Sequence, residues 1–154
     1  MSHLKGMIVR LATHHQRHSE TDDMIYIGFF GKRGGREVAL DVKDFKEFQR
    51  GTDVFYLLGN VWDDTVISGT KRPRDSQSRG NNSPDLYQIN LNEIEYVYIR
   101  KQGGKETNSK DDAYKFDLVE VTLYGSEPQS RKFLTNANVW LARESGLTVY
   151  IPES

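Results

Sequence analysis

The chain has 154 residues, enough for one domain, and its 21 basic and 22 acidic residues leave a net charge of -1. Because this balance gives no overall attraction to phosphate, nucleic acid is not expected as a partner. The absence of cysteine excludes disulfides, thiolate metal sites and a cysteine nucleophile. No apolar run has the length of a signal peptide or of a membrane span, so a cytoplasmic or peripheral membrane location is favoured.

Apolar and polar residues alternate along most of the chain, which is the pattern of half-buried β-strands. In the second such segment, Ile25, Ile27 and Phe29 fall on one face, and the turn sequence GKRGG leads into a return strand. Strands are predicted at 6–12, 24–30, 36–40, 54–58, 86–90, 93–100, 115–125, 131–135 and 147–151. A short strand at 62–67 is left open, and one helical turn is predicted within 41–51.

Eight or nine short strands with almost no helix indicate an antiparallel β-sandwich or barrel. Residues 68–85 contain no large apolar side chain, so they are predicted to form a long polar surface loop. Residues 101–112 are a second polar loop. Because no repeat or linker divides the chain, residues 1–154 are expected to form a single domain.

The first polar connection, THHQRHSETDD, gathers histidines and carboxylates that could bind a metal ion. His14, His15 and His18 offer imidazole ligands suited to zinc or nickel. Asp22 and Asp23 lie at the foot of a predicted strand, where oxygen ligands suit calcium better. A solvated polar connection between two strands is the alternative, and it is the more common role of such a segment.

Further acidic pairs are Asp63 with Asp64, directly after Trp62, and Asp111 with Asp112. Paired carboxylates can serve acid–base catalysis, but Asp is also common at strand ends and turns. The chain has no G-x-S-x-G and no H-E-x-x-H motif, and GKRGG lacks the P-loop ending. A non-catalytic protein is therefore predicted, with a small enzyme using the loop histidines or carboxylates as the less favoured alternative.

Two features could contact a membrane or a partner. The basic residues Lys71, Arg72 and Arg74 could touch lipid phosphates, although such short runs are usually solvated charge. Trp62 could anchor in a lipid interface, and a core position is its alternative.

Five segments follow one another in a characteristic order. They read DDMIYIGFFGKRGGREVALD (22–41), FKEFQRGTDVFYL (45–57), INLNEIEYVYIRKQG (89–103), FDLVEVTL (116–123) and NANVWLARESG (136–146). In order and spacing these segments resemble the PLAT domain, also called the lipoxygenase-homology domain. The first is similar to an acidic residue followed by V-Y-I-x-L-x-G, and the second to F-x-x-G-x-x-D-x-F. The last two are similar to L-D-x-V-E-V and C-N-x-W-L-A.

The resemblance implies an all-β fold, an antiparallel eight-stranded β-sandwich of two sheets. It also implies a non-catalytic binding and targeting module that docks on a membrane lipid surface or on a protein partner. Some members of the family bind calcium through loop carboxylates. By position, the residues that would bind calcium here are Asp22, Asp23, Asp63 and Asp64, and the contacts would be Trp62, Lys71, Arg72 and Arg74. A metal-free protein-interaction module is the alternative.

Overall fold

The computed structural model describes residues 2–19, 21, 24–42, 48–62, 70–72, 89–102, 113–142 and 145–154. Its strands are β1 (Gly6–Thr13), β2 (Ile25–Gly31), β3 (Gly34–Ala39), β4 (Asp53–Gly59), β5 (Tyr96–Lys101), β6 (Tyr114–Tyr124), β7 (Ser130–Thr135), β8 (Trp140–Leu141) and β9 (Thr148–Ile151). One 3-10 turn, Leu91–Glu93, precedes β5. Among the described residues, no helix is long and apolar enough to cross a membrane.

The strands form two antiparallel sheets, as the alternation predicts. In the first sheet the order is β4-β1-β6-β7, and β8 pairs with the start of β6. In the second sheet the order is β3-β2-β5-β9. The predicted β-sandwich is therefore confirmed, and the described residues form nine strands rather than the eight that the resemblance implies.

The core lies between the two sheets, and alternate residues of the central strands fill it. Ile25, Ile27 and Phe29 of β2 are each 0% exposed, so the prediction that they share a buried face is confirmed. From the first sheet, Val9 of β1 and Val121 of β6 are equally buried. Since successive side chains of a strand point to opposite faces, this burial directs the intervening residues outward.

The strand predicted at 93–100 is wrong at its start. Leu91–Glu93 forms a 3-10 turn, because the side chain of Asn90 accepts a hydrogen bond from the backbone N–H of Asn92, 3.0 Å away. Short polar side chains offer the backbone such a local partner in place of a sheet ladder. Regular β5 pairing therefore begins only at Tyr96.

Two further pairings were not predicted. Trp140–Leu141 forms β8 beside β6, and two residues are too few to show an alternating pattern. Lys71 lies in the predicted 68–85 loop, yet its backbone N–H donates to the carbonyl of Phe55 at 2.7 Å. The strands predicted at 62–67 and 86–90 and both polar loops fall largely outside the described residues. Residues 43–47 of the segment predicted to hold a helical turn, 41–51, also lie outside them.

A buried hydroxyl pair joins β1 to β6 near the end of the sandwich. The hydroxyl groups of Thr13 and Tyr114 lie 2.6 Å apart, and the two residues are 3% and 0% exposed. Burial raises the pKa of Tyr114, so its hydroxyl stays protonated. The ring of Phe48 packs edge-on against Tyr114 with centroids 6.0 Å apart, which excludes water from the pair.

Replacing Tyr114 by Phe is expected to lower the free energy of unfolding by about 1–3 kcal/mol, because the Thr13 hydroxyl would stay buried without this partner. Urea denaturation measures the change. Tyr96→Phe is the matched control, since Tyr96 is 46% exposed and should change stability by less than about 0.5 kcal/mol. Equal effects of the two substitutions would contradict the assigned role of the buried pair.

Candidate functional site

The outer surface of the second sheet carries aromatic side chains where polar residues are usual. Alternation directs these residues of β2, β5 and β9 away from the core, and we call them the aromatic face: Tyr26, Phe30, Tyr96, Tyr98 and Tyr150. Phe30, Tyr96 and Tyr150 are 42%, 46% and 53% exposed, the largest exposures of big hydrophobic side chains in the described part of the chain. Exposed aromatics of this kind form a continuous apolar surface only if they touch.

Strand register brings the three exposed rings together. Phe30 pairs directly with Tyr96, and their rings stack with centroids 5.1 Å apart. Tyr96 then meets Tyr150 of β9 edge-on at 5.9 Å. The rings form an open groove of about 380 Å³, lined by Phe30, Tyr96, Val97, Tyr98, Arg100, Thr148 and Tyr150. Aromatic rings form most of the groove's lining, and this makes the groove the candidate docking surface.

A charged network supports the aromatic face. The Tyr98 hydroxyl donates to Oε2 of Glu37 at 2.8 Å, and Nε of Arg100 donates to the same oxygen at 2.9 Å. The hydrogen bond from Arg100 lowers the pKa of Glu37. Burial, followed by the bond to Glu37, raises the pKa of Tyr98 to about 12. At neutral pH the network is therefore a carboxylate held by a guanidinium and a protonated phenol.

The same guanidinium packs on an aromatic ring. Its central carbon lies 4.2 Å from the ring centroid of Tyr26, close enough for a cation–π interaction. Arg100 is thus fixed by Glu37 on one side and by Tyr26 on the other. Its positive charge lies at the border of the groove and is already paired with Glu37.

Gly28 allows Tyr98 to reach Glu37. In the sheet Gly28 lies directly between these two residues, paired with one on each side. A Cβ atom at Gly28 would overlap the Tyr98 ring. The ring therefore crosses the backbone of β2, and a glycine inside a strand pattern is the sequence signal for such a close approach.

The turn between β2 and β3 provides positive charge beside the aromatic face. Lys32 and Arg33 are both exposed, and only Gly31 separates them from Phe30 in the hairpin. Nε of Arg33 lies 3.6 Å from a carboxylate oxygen of Glu93, and its side chain remains 81% exposed. The pair is weak at this exposure, so the turn remains a cationic rim.

The predicted contact residues lie elsewhere. Trp62 is half-buried, and its ring packs edge-on against Tyr124 of the first sheet with centroids 5.4 Å apart. Its indole N–H is buried without a hydrogen-bond partner among the described residues. Lys71 pairs with Tyr56 of β4, an edge strand of the first sheet, Arg72 follows it in the chain, and Arg74 is outside the described residues.

The four carboxylates predicted to bind calcium, Asp22, Asp23, Asp63 and Asp64, lie outside the described residues. Their described neighbours lie far apart. Met24 precedes β2 at the end of the sandwich where β6 begins. Trp62 contacts Tyr124, the last residue of β6, at the opposite end. Calcium binding by these carboxylates stays a prediction.

The structure does bring two of the loop histidines to a carboxylate. His14, His15 and Asp117 each offer a potential ligand atom, and these atoms lie within 4.8 Å of one another. His18 is not part of this group in the described residues. Asp117 was missed in the sequence, because its segment FDLVEVTL reads as an ordinary strand and the contact spans more than one hundred residues.

Comparison with known proteins shows the fold. No protein-family model and no curated protein matches the sequence. Among solved structures, the alpha-toxin of Clostridium absonum matches with a TM-score of 0.59 and 21% identity over 97% of this chain. The alpha-toxin of a Clostridium perfringens avian strain gives 0.61 and 20%, and coral 8R-lipoxygenase gives 0.56 and 15%, each again over 97% of this chain.

The two sheets and these matches define a PLAT-like β-sandwich, which confirms the fold implied by the sequence resemblance. The chain spans only 32% and 31% of the two toxins and 17% of the coral enzyme. At this identity the likeness is one of fold alone.

The pH dependence of stability tests the charged network. Because the pKa of Glu37 is lowered in the folded protein, its ionised form contributes stability above its ordinary value of 4.5, and this contribution is lost as the pH falls below it. Glu37→Gln should cost about 1 kcal/mol at neutral pH. The difference from wild type should shrink on acidification.

Urea denaturation between neutral and acidic pH measures this convergence. Glu95→Gln, at an exposed position outside the network, is the matched control. A wild-type–Glu37→Gln difference that stays constant on acidification would contradict the ion-pair assignment.

Proposed function

We propose that this chain is a non-catalytic docking module that binds a lipid surface through its aromatic face. The observation that carries the proposal is the patch of Phe30, Tyr96 and Tyr150, three exposed rings of which Tyr96 contacts the other two. A soluble surface would normally carry polar residues at these positions. Residues 1–154 would act as one PLAT-like domain located peripherally on the membrane.

The chemistry of the patch favours lipid as its ligand. Tyrosine has an apolar ring and a polar hydroxyl, which suits the boundary between headgroups and acyl chains. Phe30 supplies a fully apolar ring beside the cationic turn of Lys32 and Arg33. Each cationic side chain near an anionic membrane contributes about 1 kcal/mol of attraction. Apolar insertion and charge attraction thus act at the same edge of the sheet.

The fold comparisons support a calcium-assisted form of the proposal. Coral 8R-lipoxygenase, one of the matching structures, shows calcium activation via a C2-like domain. In this chain the proposed oxygen ligands form two separate pairs, Asp22 with Asp23 and Asp63 with Asp64. Bound calcium would reduce the repulsion between these carboxylates and anionic headgroups.

Vesicle co-sedimentation tests lipid docking. Wild-type protein should bind vesicles of phosphatidylcholine and phosphatidylserine. The combined variant Phe30→Ala, Tyr96→Ala, Tyr150→Ala should bind about tenfold more weakly or worse, since it loses most of the apolar contact. Phe55→Ala is the matched control, because Phe55 lies on the first sheet beneath Arg10.

A double variant, Lys32→Glu with Arg33→Glu, separates the contribution of charge from that of the apolar rings. It should weaken binding to anionic vesicles more than binding to neutral ones. Lipid docking would be contradicted if wild type bound no vesicles with or without calcium. It would also be contradicted if the triple variant bound like Phe55→Ala. Capture of a protein by the same three rings without vesicle binding would instead support the metal-free interaction module.

Calcium binding is tested by thermal and urea unfolding in calcium and in EDTA. Calcium at one hundred times its dissociation constant should add about 2.7 kcal/mol to the free energy of unfolding. Replacing Asp22, Asp23, Asp63 and Asp64 by Asn should remove that gain. An unchanged wild-type midpoint would overturn the calcium part of the proposal and leave a metal-free docking module.

A further inference from the structure

We infer that His14, His15 and Asp117 form a binding site for a borderline divalent metal ion such as Zn²⁺. This site uses no residue of the aromatic face, so metal binding can be tested independently of lipid docking. It also differs in ligand chemistry from the proposed calcium ligands, which are all carboxylates.

The fold fixes the position of His14 although it follows the last residue of β1. Its backbone N–H donates to the carbonyl of Lys115 at 3.0 Å, and its carbonyl accepts from the N–H of Gly51 at 3.3 Å. These two hydrogen bonds extend the pairing of β1 by one residue, toward β6 on one side and toward the segment before β4 on the other. The backbone of His14 is therefore held by the sheet.

A change of register turns Asp117 toward the histidines. Ala12 pairs with Leu118, but the next residue, Thr13, pairs with Phe116, so Asp117 has no partner position on β1. An extra residue of this kind is a β-bulge, and bulges re-aim side chains next to functional sites. Asp117 is half-buried, and its carboxylate oxygen lies 3.5 Å from Nε2 of His14.

The arrangement of the donors suits zinc. In tetrahedral coordination with bonds of roughly 2.0–2.1 Å, neighbouring ligand atoms lie about 3.4 Å apart. The 3.5 Å separation between His14 and Asp117 matches that value. The ring of His15 stacks on His14 with centroids 4.7 Å apart and an interplanar angle of 12°, and the three ligand atoms lie within 4.8 Å of one another. The exposed His15 ring must therefore turn out of the stack to direct a nitrogen to the same ion.

Two imidazoles and one carboxylate favour zinc, nickel or copper over calcium, which prefers oxygen ligands. Three protein ligands leave one position for water or for a group of a partner. His15 is exposed and the other two ligands are half-buried, so an ion can reach the site from solvent.

Metal binding would change one hydrogen bond. Nδ1 of His14 accepts a hydrogen bond from the backbone N–H of Gln16 at 2.9 Å. The neutral ring therefore carries its proton on Nε2, the atom that faces Asp117. To bind metal through Nε2 the proton must move to Nδ1, and the Gln16 amide must turn away. The site thus predicts a change of tautomer at His14 as well as metal affinity.

Isothermal titration with Zn²⁺ alone tests the affinity. Wild type should bind one ion, and His15→Ala and Asp117→Asn should each weaken binding at least about tenfold. Neither substitution removes core volume, because His15 is exposed and Asn has the shape of Asp. His18→Ala is the matched control, since His18 lies in the same connection outside the cluster and should leave the affinity unchanged.

Nitrogen-15 spectra of the imidazole rings test the geometry. Zinc should convert His14 from the Nε2-protonated to the Nδ1-protonated tautomer, while the ring of His3 at the far edge of the second sheet stays unchanged. The inference is overturned if wild type binds no zinc, if all variants bind equally well, or if binding leaves the His14 tautomer unchanged.

Discussion

Burial of the inner faces of the two sheets against each other is the constraint on which the rest of the structure depends. Ile25, Ile27 and Phe29 of β2 are buried completely, and a shift of one residue would expose all three. The same burial sends Tyr26 and Phe30 outward. The hydrophobic effect therefore positions the aromatic face indirectly. Once alternate residues of a strand are buried, the residues between them must point to the outer face.

The charged network of Glu37, Tyr98 and Arg100 supports the exposed rings from one side. Tyr98 crosses β2 at Gly28 and is tied to Glu37, which is itself bound by Arg100. Satisfied polar groups of this kind hold neighbouring rings in fixed positions. Phe30, Tyr96 and Tyr150 remain exposed around this support, so an apolar ligand would meet a preformed groove. Preformed surfaces lose less conformational entropy on binding.

The sequence predicts those features that depend on neighbouring residues. Alternation was enough to assign β2 and its buried face, and the order of short motifs indicated the PLAT-like sandwich. The stacking of Phe30 on Tyr96 depends on the register between two strands that β3 and β4 separate in the chain, and local patterns do not contain that register. Asp117 reaches the histidines through a bulge, and alternation alone would misplace it. The calcium ligands proposed from motif position remain predictions.

The central claim is that the aromatic face, and not the surface around Trp62 and Lys71, contacts lipid. The most direct measurement is paramagnetic broadening of backbone amide signals by a spin label carried in lipid nanodiscs. The account predicts strong broadening at Phe30, Tyr96 and Tyr150, and little on the outer face of the first sheet. Broadening confined to Trp62 and Lys71, or absent throughout, would contradict it.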